Sequence, residues 1–273
     1  MVINNKRILI LCKTYPSPSS RYVETSCVAG MDESGQLIRL FPVPFRLVAD
    51  EQQFRKWQWI RARVRKASDD NRPESYRISV DTIEIEGEPL PTRNEWLERR
   101  RAIAPVEVFD DFAALEAARL NRGVSLGLLR PSRLLDLRIS KAEAGEWTEE
   151  EKAKLMQAQN QGTLFDQDAE LRSLKLLKKL PFDFHYLHEG RDGRVHKHKL
   201  VDWEAGALYW NVHRKADWQV LFRQKFLVEF AQKDVLFLMG TIHRFPHQWL
   251  IVSVLYPPKP LAEVVGQGQL FER

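Results

Sequence analysis

Phe54-Arg-Lys-Trp57-Gln-Trp59-Ile-Arg61-Ala-Arg63-Val-Arg65-Lys66 is the stretch whose pattern decides how this chain is read. Successive side chains of a strand point to opposite faces. Ile60, Ala62 and Val64 therefore share one face, fit for a core, and Trp57, Trp59, Arg61, Arg63 and Arg65 share the other. The pattern predicts a long strand over residues 57–66. Downstream, Ile83 and Ile85 alternate with Glu84 and Glu86 in another. Upstream, residues 8–13 are apolar and β-branched until Tyr15-Pro-Ser-Pro-Ser-Ser20 breaks them. Residues 26–31 and 36–41 are joined by Asp32-Glu-Ser-Gly35, a good hairpin loop. Short strands punctuated by turns predict a small barrel or sandwich over residues 1–92.

Helical periodicity begins near residue 93, with expected helices at 94–101, 109–120 and 148–159. Thr148 and Glu151 have the spacing of a capping box for the last of them. Residues 93–170 therefore read as a helical connector and a polar linker. Residues 171–273 read as an α/β domain with a flexible tail. In it, 182–188 and 195–200 predict a hairpin around Gly190-Arg-Asp-Gly193, and 203–213 and 218–233 predict helices. Residues 235–239 and 249–255 are near-continuous apolar runs, typical of buried central strands. The expected class is α+β: a β-barrel module, a helical connector and a C-terminal α/β domain.

The 273 residues carry 42 Lys plus Arg against 37 Asp plus Glu, and 44% are hydrophobic, which excludes wholesale disorder and collagen-like chains. No apolar run approaches the roughly 20 residues of a membrane span. Arg7-Ile-Leu-Ile-Leu-Cys12 reads as a strand and not as a signal peptide. Cys12 and Cys27 are too few for a disulfide framework or a four-cysteine zinc site. A cytoplasmic protein with reduced thiols is expected.

Phosphate-loop, dinucleotide and HExxH patterns are missing. Gly123-Val-Ser125-Leu-Gly127 has the spelling of a nucleophile elbow, but that elbow needs a buried strand just before the serine. Residues 114–120 are helical in pattern, so Ser125 reads as part of a helix-ending loop. The face bearing Trp57, Trp59, Arg61, Arg63 and Arg65 offers what single- or double-stranded nucleic acid requires: rings for stacking and cations for phosphates. The alternative is that the indoles lie in a core while Asp69, Asp70 and Glu74 pair with the arginines.

Lys6-Arg-Ile-Leu-Ile-Leu-Cys-Lys13, Cys27-Val-Ala-Gly30 and Ile38-Arg-Leu-Phe-Pro42 resemble the prokaryotic dual OB-containing domains. The resemblance covers about residues 5–90. It implies an OB-like, oligonucleotide-binding barrel and an association with phage-defence and other conflict systems. It supplies no catalytic residue. Asn71-Arg-Pro-Glu-Ser-Tyr76 and Val201-Asp-Trp-Glu204 stand out as compact motifs to which no activity attaches.

All seven histidines fall between residues 185 and 247. His188, His196 and His198, with Asp202 and His243, have the composition of a zinc or other divalent site. The other reading is a basic or phosphate-contacting surface, with Asp202 and Glu204 opening a helix. Gln161-Gly-Thr-Leu164-Phe165 and Gln267-Gly-Gln-Leu270-Phe271 both fit Q-x-x-L-F, which resembles the peptide that docks bacterial repair proteins on a sliding clamp. Each Leu-Phe pair could equally pack on its own domain.

The expected function is a non-catalytic nucleic-acid-binding accessory protein, for DNA first, of a bacterial defence or repair system, with no cofactor. One alternative is a metal-dependent nuclease or hydrolase using His196, His198, Asp202 and Glu204. Another is an adaptor that holds a sliding clamp or a defence-system protein through Gln267, Leu270 and Phe271.

Overall fold

The computed structural model describes residues 4–19, 23–45, 50–143, 148–149 and 179–260. Its first half is a sheet of seven strands: β1 (Asn4–Lys13), β2 (Ser17–Ser19), β3 (Val23–Asp32), β4 (Leu37–Val43), β5 (Trp59–Lys66), β6 (Ser75–Ile78) and β7 (Glu84–Glu86). Five of these close into a barrel in the order β1-β3-β4-β6-β5, with β5 pairing back on β1. Only the β4–β6 pairing in that ring is parallel. The arrangement is consistent with an OB-like barrel. The β3–β4 turn forms as expected. Asp32 Oδ1 accepts from the backbone N–H of Ser34 and of Gln36, both at 3.1 Å, and Gly35 supplies the required positive φ of 83°.

The second sheet has the order β10-β11-β12-β14-β13-β9-β8. Its strands are β8 (Val108–Phe109), β9 (Leu126–Leu129), β10 (Arg133–Lys141), β11 (Phe182–Glu189), β12 (Val195–Leu200), β13 (Leu236–Ile242) and β14 (Phe245–Leu255). Four α-helices accompany the sheets among the described residues: α1 (Arg93–Ile103), α2 (Phe112–Arg122), α3 (Trp203–Val212) and α4 (Trp218–Arg223), the last running into a π-helical stretch at Gln224–Glu229. Asp111 caps α2 through the N–H of Ala114, and Gly123 ends it at φ 72°.

The run of consecutive apolar residues in β1 has a topological cause. Ile8 and Ile10 fill the barrel with Val28, Ile38, Leu40, Ile60, Ala62 and Val64. Leu9 and Leu11 point outward with Ala29 and Met31 and pack against Leu126, Leu128, Leu236, Leu238 and Val252 of the second sheet. Phe237, Met239 and Ile251, on the other face of that sheet, meet Phe222, Phe226 and Phe230 of the helices. The central strands are thus buried on both faces, which is why they read as unbroken apolar runs. One core joins barrel and sheet, so the two halves are packed as a single body.

Two expectations need correction. The segment expected to be helical connector contributes β8, β9 and β10 to the second sheet, with α2 between them. The strand expected from residue 57 begins at Trp59, because Trp57 has φ 68° and turns the chain. All but the first two residues of the expected helix at 148–159 lie outside the described residues, as do residues 150–178, in the polar linker and beyond, and the tail from residue 261.

Candidate functional site

The alternation expected of β5 is present: Ile60, Ala62 and Val64 are buried, while Arg61, Arg63 and Arg65 are exposed on the opposite face. Trp57 is not on that face. It is 3% exposed and packs edge-on against Trp96 at 5.8 Å, with the Arg99 guanidinium 5.0 Å from its ring. Trp59 is half-buried under the Arg7 guanidinium at 4.4 Å. Arg61 pairs with Glu86 at 2.9 Å, and Arg63 lies 3.9 Å from Asp81. For Arg61 and Arg63 the acids come from β7 and from the turn at Val80–Thr82, and not from Asp69, Asp70 and Glu74 as the sequence suggested. Hydrogen bonds from Arg7 and Arg61 hold the Glu86 carboxyl below its ordinary range.

A cleft of about 380 Å³ opens between the barrel and the second sheet. The barrel contributes Tyr15 after β1, Cys27 of β3, Arg39 and Phe41 of β4, and Asp70, Arg72, Ser75 and Tyr76 around the start of β6. The second sheet contributes Thr241, Ile242 and His243. The β13–β14 hairpin tip rises beside it, where His243, Arg244, Phe245 and His247 are exposed. Phe41 and Phe245 are 48% and 50% exposed.

The floor of the cleft is a connected polar network. Arg39 is only 4% exposed. Its Nη1 donates to Ser75 Oγ at 3.3 Å and Ser125 Oγ at 3.0 Å, and its Nη2 donates to the Ser125 carbonyl at 2.9 Å. Ser125 in turn donates its N–H and hydroxyl to Glu74, at 2.9 and 2.6 Å. Ser75 Oγ donates to Asp70 at 2.8 Å, and Arg72 clamps Asp70 through Nε and Nη2 while its Nη1 donates to the Thr241 carbonyl at 2.5 Å. Burial lowers the pKa of Arg39 and raises that of the Cys27 thiol beside it. Burial also works to raise that of Asp70, but the bonds from Arg72 and Ser75 outweigh it and hold the carboxyl well below its usual range. Thr241 Oγ1 is buried with no hydrogen-bond partner.

The two compact motifs thus lie along the junction of the halves. Asn71–Tyr76 supplies Arg72, Glu74 and Ser75 to the floor. In the second motif, Asp202 caps α3 and accepts from Ser253 Oγ at 2.9 Å and from the Val254 N–H at 3.1 Å. Lys56, from the barrel, reaches Glu204 at 2.9 Å and Asp202 at 3.7 Å. Burial disfavours the Lys56 charge, yet these two carboxylates keep its pKa raised. Ser125, the false nucleophile elbow, serves as a tie between Arg39 and Glu74. Sequence reasoning missed Arg39 as a site residue, since its signal was only a lone charge inside the apolar β4.

His188, His196 and His198 do come together, because 188 and 196 are cross-strand partners in β11 and β12. They stack, with His188 and His198 buried and His196 half-buried: His188 Nε2 lies 2.8 Å from His198 Nδ1, and Phe112 covers His196 and His198 at 4.9 and 4.7 Å. Burial, with the neighbouring imidazoles adding to it, lowers the pKa of His188 to about 3 and that of His198 to about 4. The other members of the expected metal set are elsewhere. Asp202 and Glu204 are engaged at the start of α3, and His243 stands at the cleft beside Asp70 at 3.9 Å. Among the described residues, no three His, Cys, Asp or Glu side chains could hold a metal ion. The hydrolase constellation of His196, His198, Asp202 and Glu204 is therefore not assembled. Both Q-x-x-L-F copies, with Gln267, Leu270 and Phe271, lie outside the described residues. No helix among the described residues is long and apolar enough to cross a membrane.

No curated protein matches the chain. Residues 4–105 match the family described as a domain of unknown function (DUF8758). Their end, two residues beyond α1, coincides with the end of the barrel half. Residues 108–273 match a second domain of unknown function (DUF8757), beginning at β8 and including every strand of the second sheet. That second match spans more than half of the sequence, and the chain belongs to the DUF8757 family.

Proposed function

We propose that the protein binds nucleic acid, with the cleft between the barrel and the second sheet as its ligand site. The observation that carries this reading is position. The cleft lies on the second and third barrel strands, β3 and β4, flanked by the loop after the first strand and the loop between the fourth and fifth. An OB-fold takes oligonucleotides on that strand face and between those loops. The exposed rings of Phe41 and Phe245 offer stacking surfaces, and Arg244 and His243 offer phosphate contacts at the rim. The row Arg61, Arg63 and Arg65 is a second cationic surface, on which a duplex or a separate strand would be held without specificity. The resemblance to dual OB domains supports an accessory role in bacterial defence or repair.

Equilibrium titrations with single-stranded DNA, duplex DNA and single-stranded RNA at two salt concentrations test the proposal. Phe41→Glu and Arg244→Glu, both at exposed positions, are expected to weaken binding tenfold or more with an unchanged melting temperature. Arg63→Glu is expected to act mainly by flattening the salt dependence, since fewer counterions are released. Wild-type protein that binds none of the three at low salt, or cleft variants that bind as the wild type does, would sink the reading.

A further inference from the structure

We infer that the cleft receives a single unstacked nucleobase from a strand, with its phosphate held at the rim, and not a continuous run of nucleotides across the barrel. The inference rests on the nucleic-acid reading and narrows it. Size is the first argument, since about 380 Å³ lies at the small end of the roughly 300–1,000 Å³ of ligand sites. The barrel surface beyond the cleft is closed: Leu9, Leu11, Ala29 and Met31 are buried against the second sheet. A strand entering at the rim therefore has no path onward over β1.

The chemistry of the floor sets what enters. Its cations are matched by anions, Arg72 by Asp70 and Arg39 by Glu74 through Ser125. Carboxylates beside the floor repel a phosphate, and a balanced set of donors and acceptors suits a neutral ring with hydrogen-bonding edges. Thr241 Oγ1, on the cleft and 94% buried by the exposure of its residue (6%), has no partner among the described residues. A buried hydroxyl of this kind is free to bond a water or a bound group, and Thr241 lines the cleft. The rim differs in kind from the floor. Arg244 is exposed with no acid in ion-pair range among the described residues, next to exposed Phe245. The ring goes in, and the charged backbone stays out.

A length series of deoxythymidine oligonucleotides, from mononucleotide to octanucleotide, tests this on the full chain by NMR titration. Affinity is expected to rise from one nucleotide to three, as the rim engages, and then to level off. Phe41→Ala is expected to cost about tenfold already at the dinucleotide, whereas Phe245→Ala acts only from the trinucleotide onward. A steady rise through eight nucleotides with Phe41→Ala silent would overturn the pocket while leaving nucleic-acid binding standing. Equal affinity for the mononucleotide and the trinucleotide would overturn the strand and assign the pocket to free nucleotides. No binding at any length, single- or double-stranded, would remove the nucleic-acid reading and this inference together.

Discussion

Arg39 and Trp57 show how far the role of a residue depends on what surrounds it. Arg39 is the only charged residue of β4, and Ser125, just before β9, accepts from it where the barrel meets the second sheet. Without that partner a buried guanidinium would cost several kcal/mol. Trp57 had the credentials of a stacking platform by sequence, two residues from Trp59 and followed by arginines. Its positive φ removes it from the strand and seats the ring against Trp96, itself at φ 66°. Trp57→Ala is therefore expected to destabilise the protein by about 3–5 kcal/mol, as large aromatic truncations in cores do. Urea unfolding checks this. A loss of nucleic-acid binding at undiminished stability would return Trp57 to the surface.

The β11–β12 hairpin is the element whose chemistry changed most between sequence and structure. Spacing placed His196 and His198 on one face, and the cross-strand register added His188, but burial under Phe112 and Phe237 makes the cluster apolar in character. Folded His188 and His198 titrate near 3 and 4, below the roughly 6.5 of an unfolded imidazole. The unfolded chain thus takes up protons first, so stability falls as pH drops below about 6.5 and continues to fall toward the folded values. At pH 5 the loss should be about 2 kcal/mol for each imidazole. Urea midpoints at pH 7.5 and pH 5 measure it, and His188→Leu with His198→Leu should flatten the difference. Equal midpoints in the wild type would mean the imidazoles are solvated.

At the scale of the whole molecule, the barrel and the second sheet share one core, so they are expected to unfold together. Leu238 is fully buried where β13 meets the outer side of the barrel. Leu238→Ala should cost about 2–5 kcal/mol and shift one common transition, read alike by tryptophan fluorescence and far-ultraviolet circular dichroism. Two separated transitions would show that each half folds alone. The cleft is a product of the same docking, because its two walls belong to different halves.

Local pattern alone determined most of the elements. Alternation fixed the faces of β5, turn chemistry fixed the β3–β4 hairpin, and the unbroken apolar runs of β13 and β14 announced strands covered on both sides. These features depend on neighbours in sequence or on periodicity, which a sequence carries directly. Strands β8, β9 and β10 were missed because β8 and β9 are short and β10 is partly charged, so their pairing partners, and not their own composition, make them strands. The cleft was hidden for a similar reason. Arg39, Arg72, Ser75, Ser125 and Thr241 are scattered over some 200 positions, and each is ordinary by itself. Only closing the barrel and docking it on the second sheet brings them within hydrogen-bond distance. Hydrogen bonds of that kind are decided by geometry in space, which no spacing along the chain encodes.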